Sequence, residues 1–462
     1  MAAKTLRVAI CGGGIGGLTL ALVLQKFSKK DVQIDLYEAK DKFAEIGAGL
    51  TVWRRTWYII QVLGLDKSLG EMAIHPPVEE PTPSFTFRRA DLPEGYDFHQ
   101  IVSPYGTATV HRADMLKVMT DSLSNDIGTH FEKRLVSYVQ EGSGILTMTF
   151  ADGTTAEADV LVGADGLKSV TREVLYENLV NDAKGRDESE AQHLQKFIQP
   201  TWTGMYAYRT LVDSEKLLKI APDHQSPKRP ILHFGKCGHV VAYPISKGRF
   251  VNFVSLVSNP EKEGSRWEGP LVKEVSVDEL KRHLEGWEPR IQQLLSCVES
   301  CSRWTVCQNR DIPYFASRNV ALLGDAAHAM TPNLGAGAGQ AMEDAYVLGR
   351  LLVHDSVNVE NVRNALDIYD IVRKPVASKV ADLSRMCGNC YDFHYVPDSI
   401  SKAGIEVESA EGMKLLCDFI YSAWSFNWTG TPEDEWVQAE KMLNSSAHGG
   451  VTVQTQETPA RL

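Results

Sequence analysis

Val8-Ala-Ile-Cys-Gly12-Gly13-Gly14-Ile-Gly16-Gly17-Leu18 is the stretch that decides how this chain folds. The run just before it, Leu6–Cys11, is apolar except for Arg7, which suits a parallel strand buried on both faces. Gly12-x-Gly14-x-x-Gly17 follows at once, and residues 18–27 continue with good helix formers at helical spacing. A second strand, Val32-Gln-Ile-Asp-Leu-Tyr37, ends at Glu38. Each glycine has a physical task. Gly12 makes the tight turn, Gly14 lets the backbone approach a pyrophosphate, and Gly17 lets the helix pack closely on the strand. The phosphates sit on the positive end of the helix. Glu38 is placed to accept from ribose hydroxyls, and an acid there disfavours a 2′-phosphate, so FAD or NAD fits this site and NADP does not.

Far down the chain lies a second glycine-rich stretch, Asn319-Val-Ala-Leu-Leu-Gly324-Asp325-Ala-Ala-His328-Ala-Met-Thr-Pro332-Asn-Leu-Gly335-Ala-Gly337-Ala-Gly339. The pair suggests one dinucleotide held at its adenine half by the early segment and at its redox half by the late one. Gly335-x-Gly337-x-Gly339 has the wrong spacing for another dinucleotide fingerprint. A nicotinamide reductant, if the chain uses one, therefore has no Rossmann domain of its own.

With 462 residues the chain can hold two or three cores, and its 43% hydrophobic and 23% charged content is ordinary for a globular protein. A net charge of −11 with no basic stripe argues against a nucleic-acid partner. No apolar run reaches bilayer length, and the N-terminus enters the first strand without room for a signal peptide. Eight cysteines in so long a chain do not make a disulfide scaffold, and Cys387-x-x-Cys390, in a helical pattern with no second pair, reads as reduced structural thiols rather than a metal site. These features point to the cytoplasm, with the terminal Ala460-Arg461-Leu462 as a loose peroxisomal alternative, and to a monomer or homodimer.

Along the chain, His111-Arg112-Ala-Asp114 leads into a helix with Asp114 as the expected N-cap, and strands are expected at 144–150 and at Val160–Gly163. Residues 181–199 are polar and read as a mobile excursion. The pattern then changes to alternating segments: Met205-Tyr-Ala-Tyr-Arg209, Pro230-Ile-Leu-His-Phe234, His239-Val-Val-Ala-Tyr243 and Phe250-Val-Asn-Phe-Val254. They have the look of a largely antiparallel sheet. Beyond Val376 the chain reads as helical, with Trp424, Trp428 and Trp436 as anchors.

Three motifs in order resemble the fingerprints of single-component FAD-dependent aromatic hydroxylases, above all the fungal salicylate hydroxylase-like members. They are the GxGxxG opening, Asp165-Gly166 in Val160-Leu-Val-Gly-Ala-Asp-Gly-Leu-Lys-Ser169, and Gly324-Asp325, and the likeness runs over residues 6–370. It implies an α/β fold: a Rossmann-like FAD-binding domain in two parts (1–180 and 305–375), an inserted, mainly antiparallel β-sheet substrate domain (200–290) and a C-terminal helical region (376–450). It also implies reduction of FAD by NADH or NADPH, capture of O2 as a flavin C4a-hydroperoxide, and oxygen transfer to a small phenolic or hydroxybenzoate-like ring, with decarboxylation as one variant. An epoxidase or hydroxylase of a polyketide or terpenoid metabolite is the alternative. A flavin halogenase is disfavoured because no Trp-x-Trp-x-Ile-Pro segment is present.

By the same resemblance Gly12, Gly14, Gly17 and Glu38 belong to the adenosine and pyrophosphate site, with Gly49 also at the cofactor. Arg112 and Asp325 belong to the ribityl region, and Asp165 with Gly166 to a motif shared by FAD and nicotinamide. Pro332 and the backbone of Gly335, Ala336, Gly337 and Ala338 lie against the isoalloxazine. On the sheet, Arg209 is the expected partner of a carboxylate or phenolate, because a guanidinium is permanently charged and forks onto such groups. Tyr243 is expected to bond the phenol and help ionise it. Tyr208, His233, His239 and His328 are lesser candidates, and no metal site is expected. Thr51-Val-Trp-Arg-Arg-Thr-Trp57 departs from the Pro-Asn type of loop in bacterial salicylate hydroxylases and suggests an altered pocket wall.

Overall fold

A computed structural model describes residues 4–43, 49–73 and 78–448. The C-terminal Ala-Arg-Leu lies outside them. The strand Leu6–Cys11 stands inside a six-stranded sheet ordered Ala316–Ser317, Val320–Leu322, Val160–Gly163, Leu6–Cys11, Val32–Tyr37 and Gly128–His130. All its pairings are parallel except the one between Ala316–Ser317 and Val320–Leu322. Val160–Gly163 is buried at every residue, as a parallel strand covered by helices on both faces should be. The late strand Val320–Leu322 thus re-enters the sheet that the N-terminus began. Helix Ile15–Phe27 packs against helix Gly337–Val353, and the contact is close enough that a Cβ on Gly349 would sit 2.6 Å from the Val23 side chain.

The second sheet has eight strands, ordered Val272–Val275, Cys301–Gln308, Thr201–Asp213, Phe250–Ser258, Gly238–Ile245, Ile231–Gly235, Thr82–Arg89 and Tyr96–Ser103. It is antiparallel except where Ile231–Gly235 meets Thr82–Arg89. The hairpin of residues 82–103 comes from the N-terminal block yet pairs in this sheet. Its strand Thr82–Arg89 carries two arginines that pair with acids near and far in sequence: Arg88 with Asp97 and Glu288, Arg89 with Asp91 and Glu408.

Two local expectations are corrected. Residues 181–199 are not an irregular excursion: helices Val170–Lys184 and Glu188–Leu194 run through them, and the Asp187 carboxylate caps the second by accepting from Ser189 N–H and Glu190 N–H. The N-cap of helix Arg112–Asp121 is His111, whose Nδ1 accepts from Ala113 N–H at 3.3 Å, while Asp114 sits in the first turn. Helix Val362–Tyr391 is 30 residues long and passes through Pro375. Trp424, Trp428 and Trp436 are buried, and all eight cysteines are unpaired. Burial pushes the Cys387 thiol up to about 12 and Cys390 up as well, so both remain protonated. No helix among the described residues is long and apolar enough to cross a membrane.

Candidate functional site

The first glycine stretch forms a cradle that side chains would fill. Gly12 has φ +113°, and a Cβ there would lie 2.2 Å from the Ala164 carbonyl oxygen. A Cβ on Gly17 would lie 2.0 Å from the Gly12 carbonyl oxygen. Gly14 caps helix Ile15–Phe27 without a side-chain acceptor, which leaves the first N–H groups of the helix to a ligand. Opposite them the Glu38 carboxylate accepts from Gly13 N–H at 2.8 Å and Lys40 N–H at 2.9 Å. A cavity of about 460 Å³ follows, running past Gly12, Gly14 and Glu38 to Asp165, Arg112 and Trp304.

Asp165 borders this cavity, but its carboxylate is occupied by the chain itself. It accepts from Ser169 Oγ at 2.5 Å and from the Thr171 N–H and hydroxyl at 3.0 and 3.1 Å. Those bonds fix the loop before helix Val170–Lys184 and hold Gly166 at φ +78°. Arg172 then joins the loop to the late glycine stretch, donating to the carbonyls of Leu167 and Ala326 at 2.9 and 3.0 Å. Burial pulls its guanidinium down to about 10, still charged at neutral pH.

A second cavity, about 570 Å³, opens against one face of the eight-stranded sheet and shares Trp304 with the first. Strand register sets that face. Arg209 pairs with Val254, and Val254 with Val241; one row away Ala207 pairs with Leu256, and Leu256 with His239. Side chains at two-residue steps share a face, so Arg209, Val254, Leu256, His239, Val241 and Tyr243 line the cavity together. Arg209 lies 5.0 Å from the centroid of the Trp304 ring. The Tyr243 hydroxyl reaches the Gly49 carbonyl at 3.5 Å. Burial pushes the Tyr243 phenol up, and Arg209 and Asn252 draw it partly back, so it keeps its proton.

The opposite rim is the late glycine stretch, with Asp325, Pro332 and Gly335 facing the cavity. Gly335 has φ +59° and ends the turn Pro332–Leu334, after which helix Gly337–Val353 starts. Ala336, Gly337 and Ala338 do not line the cavity; they stand at that helix start. Asp325 and Arg209 both act on Arg112 where the two cavities meet. Burial and Arg209 pull the Arg112 guanidinium down while Asp325 pushes it up. Two cations and one carboxylate make this junction a place for negative charge.

The family described as FAD binding domain matches residues 5–384. Salicylate hydroxylase of Pseudomonas putida is 35% identical over 84% of this chain and 86% of its own length. The FAD-dependent monooxygenase str9 of Strobilurus tenacellus is 33% identical over 94% of this chain and 96% of its own. A solved salicylate hydroxylase substrate complex superposes with a TM-score of 0.78 at 30% identity, covering 94% of this chain and 98% of that one. This chain belongs to the FAD-dependent monooxygenases of the salicylate hydroxylase type.

In this monooxygenase the structure sorts the remaining candidates. Tyr208 points to the other face of its strand, where its hydroxyl meets Glu279 and the His283 ring at 3.0 Å each. His233 also faces away from the cavity; its Nδ1 is bonded to the Val240 carbonyl, and burial pulls it down to about 3. His328 lies within the late glycine-rich stretch with Nε2 bonded to Asp344 Oδ2 at 2.5 Å, and Asp344 also accepts from Gly324 N–H. Among the described histidines, His239 alone lines the large cavity. Its Nδ1 meets Asp392 Oδ1 at 2.6 Å, and its buried Nε2 has no partner among the described residues.

Sequence reasoning missed Asp392 and an aromatic wall. His239 packs edge-on to Tyr391, the Tyr391 hydroxyl accepts from Trp424 Nε1 at 2.8 Å, and Trp424 packs edge-on to Trp53. Trp53 lies in the loop already marked as a departure and Trp424 is expected only as an anchor; Tyr391 carries no signal beyond its size.

Proposed function

We propose that this monooxygenase hydroxylates a small phenolic or hydroxybenzoate-like ring, with NADH or NADPH as a visiting reductant and O2 as the oxygen source. The observation that carries the reading is the large cavity itself: an apolar sheet face bearing Arg209, His239 and Tyr243 at its edges, joined to the dinucleotide cradle at Arg112, Asp325 and Trp304. The chain's residues fit FAD. Gly12, Gly14, Gly17 and Glu38 would hold its adenosine and pyrophosphate, and Arg112 and Asp325 its ribityl chain. Gly49, Pro332 and Gly335, with the helix start at Ala336, Gly337 and Ala338, would bound the ring. When bound, FAD supplies the redox chemistry and the activation of dioxygen.

The chain's own share is orientation, charge and dryness. Interstrand spacing places the Cα atoms of Arg209 and His239 roughly 12 Å apart on one face. One substituted benzene ring with a hydrogen bond at each end fills that span. Arg209 would fork onto a carboxylate or phenolate, His239 would take the phenol proton, and Tyr243, protonated, would donate to a ring oxygen. Val241, Val254 and Leu256 floor the ring, and Trp53 and Trp424 wall it from water.

The test is NADH or NADPH oxidation with a panel of hydroxybenzoates and phenols, read beside product mass. Substrate-stimulated oxidation with a product heavier by one oxygen supports hydroxylation, and accompanying release of carbon dioxide identifies the decarboxylative form. Silence towards every phenol sinks the proposal.

A further inference from the structure

Asp392 lies beyond the residues matched by the family, at the C-terminal end of helix Val362–Tyr391, and it reaches back to the sheet. Its carboxylate is fully buried. Oδ1 lies 2.6 Å from His239 Nδ1 and Oδ2 accepts from Ser258 Oγ–H at 2.5 Å. A carboxylate only accepts, so Nδ1 must carry the hydrogen and Nε2 must present its lone pair. Nε2 is the buried atom with no partner among the described residues, on a residue that lines the large cavity. Backbone bonds fix the arrangement: the Asp392 carbonyl accepts from Cys237 N–H, and Asp392 N–H donates to the Gly388 carbonyl.

From this geometry we infer that Asp392 is a positioning residue that makes His239 the base for the substrate's phenol. The inference rests on reading the large cavity as the substrate site. In the step, the phenol O–H breaks and its proton goes to His239 Nε2. The products are a phenolate and an imidazolium, and the imidazolium stays bonded through Nδ1–H to the Asp392 anion. No electrons move, and the proton returns to solvent after product leaves. Asp392 works twice, by setting the tautomer beforehand and by balancing the imidazolium charge afterwards.

The other ionisable groups around the dyad do not compete. Tyr391 and Cys390 face it from the helix, and burial pushes both up, so they stay protonated. Arg209 and Tyr243 stand across the same cavity wall, where Arg209 stabilises the phenolate rather than taking a proton. Ser258 is the device that keeps the carboxylate from turning, because Oδ2 is already engaged.

The experiment uses the FAD-loaded enzyme with 4-nitrophenol, whose anion absorbs visible light and whose neutral form does not. Difference spectra at a pH below the probe's own titration read the ionisation state of the bound phenol directly. Wild type is expected to bind it as the anion. Asp392→Asn, whose amide can donate to Nδ1 and force the proton onto Nε2, is expected to bind it neutral, lowering the bound anion fraction about tenfold and kcat about 100-fold with KM little changed. His239→Gln should match it, and Ser258→Ala should lower the anion fraction about fivefold. A merely structural Asp392 would lose FAD or probe affinity without altering the state of the bound probe. Anion bound equally well by Asp392→Asn overturns the inference; should that variant fail to fold, anion bound equally well by both His239→Gln and Ser258→Ala does so. Wild type that hydroxylates phenols yet binds the probe neutral overturns the inference alone, whereas wild type that neither binds nor hydroxylates any phenol overturns the functional reading beneath it.

Discussion

The two cavities are built in opposite ways. The cradle at Gly12–Gly17 is made of backbone, within a few residues of one strand and one helix. The large cavity is made largely of side chains brought together from many strands, several loops and the C-terminal helices, and Asp392 stands 153 residues from the histidine it touches. A backbone site tolerates almost no substitution, whereas a side-chain site can be changed one function at a time. Gly12→Ala is therefore expected to have the largest effect. Its Cβ would meet a carbonyl oxygen at 2.2 Å, at a φ of +113° that side chains avoid. The flavin-to-protein absorbance ratio should fall to near zero. A fully flavinated Gly12→Ala would break the contrast.

Next comes Arg209. Replacing it by Gln would remove the charge-assisted bond to substrate proposed for it, while no cradle glycine changes. The loss in kcat/KM is expected at about 10- to 100-fold, from the ~1.5–3 kcal/mol of such a bond. Flavin content should match wild type. If flavin is lost together with activity, Arg209 serves the junction with Arg112 rather than the substrate.

The same contrast explains what could be read from the chain alone. The parallel sheet and cradle were legible because a strand, a GxGxxG turn, a helix and Glu38 follow one another within local sequence, each with its own signature. The antiparallel strands at Thr201–Asp213, Gly238–Ile245 and Phe250–Ser258 were legible from alternation. The family resemblance, not alternation, nominates Arg209 and Tyr243 ahead of Tyr208; alternation alone cannot separate neighbours such as Tyr208 and Arg209, because the phase of a strand relative to its cavity depends on what packs on each side. Helix 188–194 was hidden because its face is mostly polar and only its Asp187 cap marks it. Asp392 was hidden for a stronger reason: nothing near it in sequence depends on it, and its partner lies on another element altogether.

His233 offers a smaller effect that sharpens the distinction between the histidines. Its ring is buried behind the sheet and held down to about 3. Once unfolded, it returns to the ordinary value near 6.5. Between those values the unfolded chain binds a proton that the folded chain refuses, so stability falls as pH drops below about 6.5 and stops falling near 3. At pH 5 this single group costs about 2 kcal/mol. The melting temperature of wild type should fall more between pH 7 and pH 5 than that of His233→Leu. Equal slopes would mean that the ring is protonated in the folded protein.

The smallest effect is expected next door to Arg209. Tyr208→Phe removes a hydroxyl that bonds Glu279 and His283 on the far face of the strand. The phenyl ring can keep its place in the core cluster it shares with Leu280, so the cost is that of two part-buried hydrogen bonds, about 1–2 kcal/mol of stability. Because consecutive strand residues face opposite ways, kcat and KM should stay within about twofold of wild type. Arg209→Gln at the adjoining position should do the reverse, sparing stability and taking activity. A kinetic defect in Tyr208→Phe comparable to that of Arg209→Gln would show that the two faces of this strand are coupled, and the sorting of candidates by side-chain direction would then fail for the whole sheet.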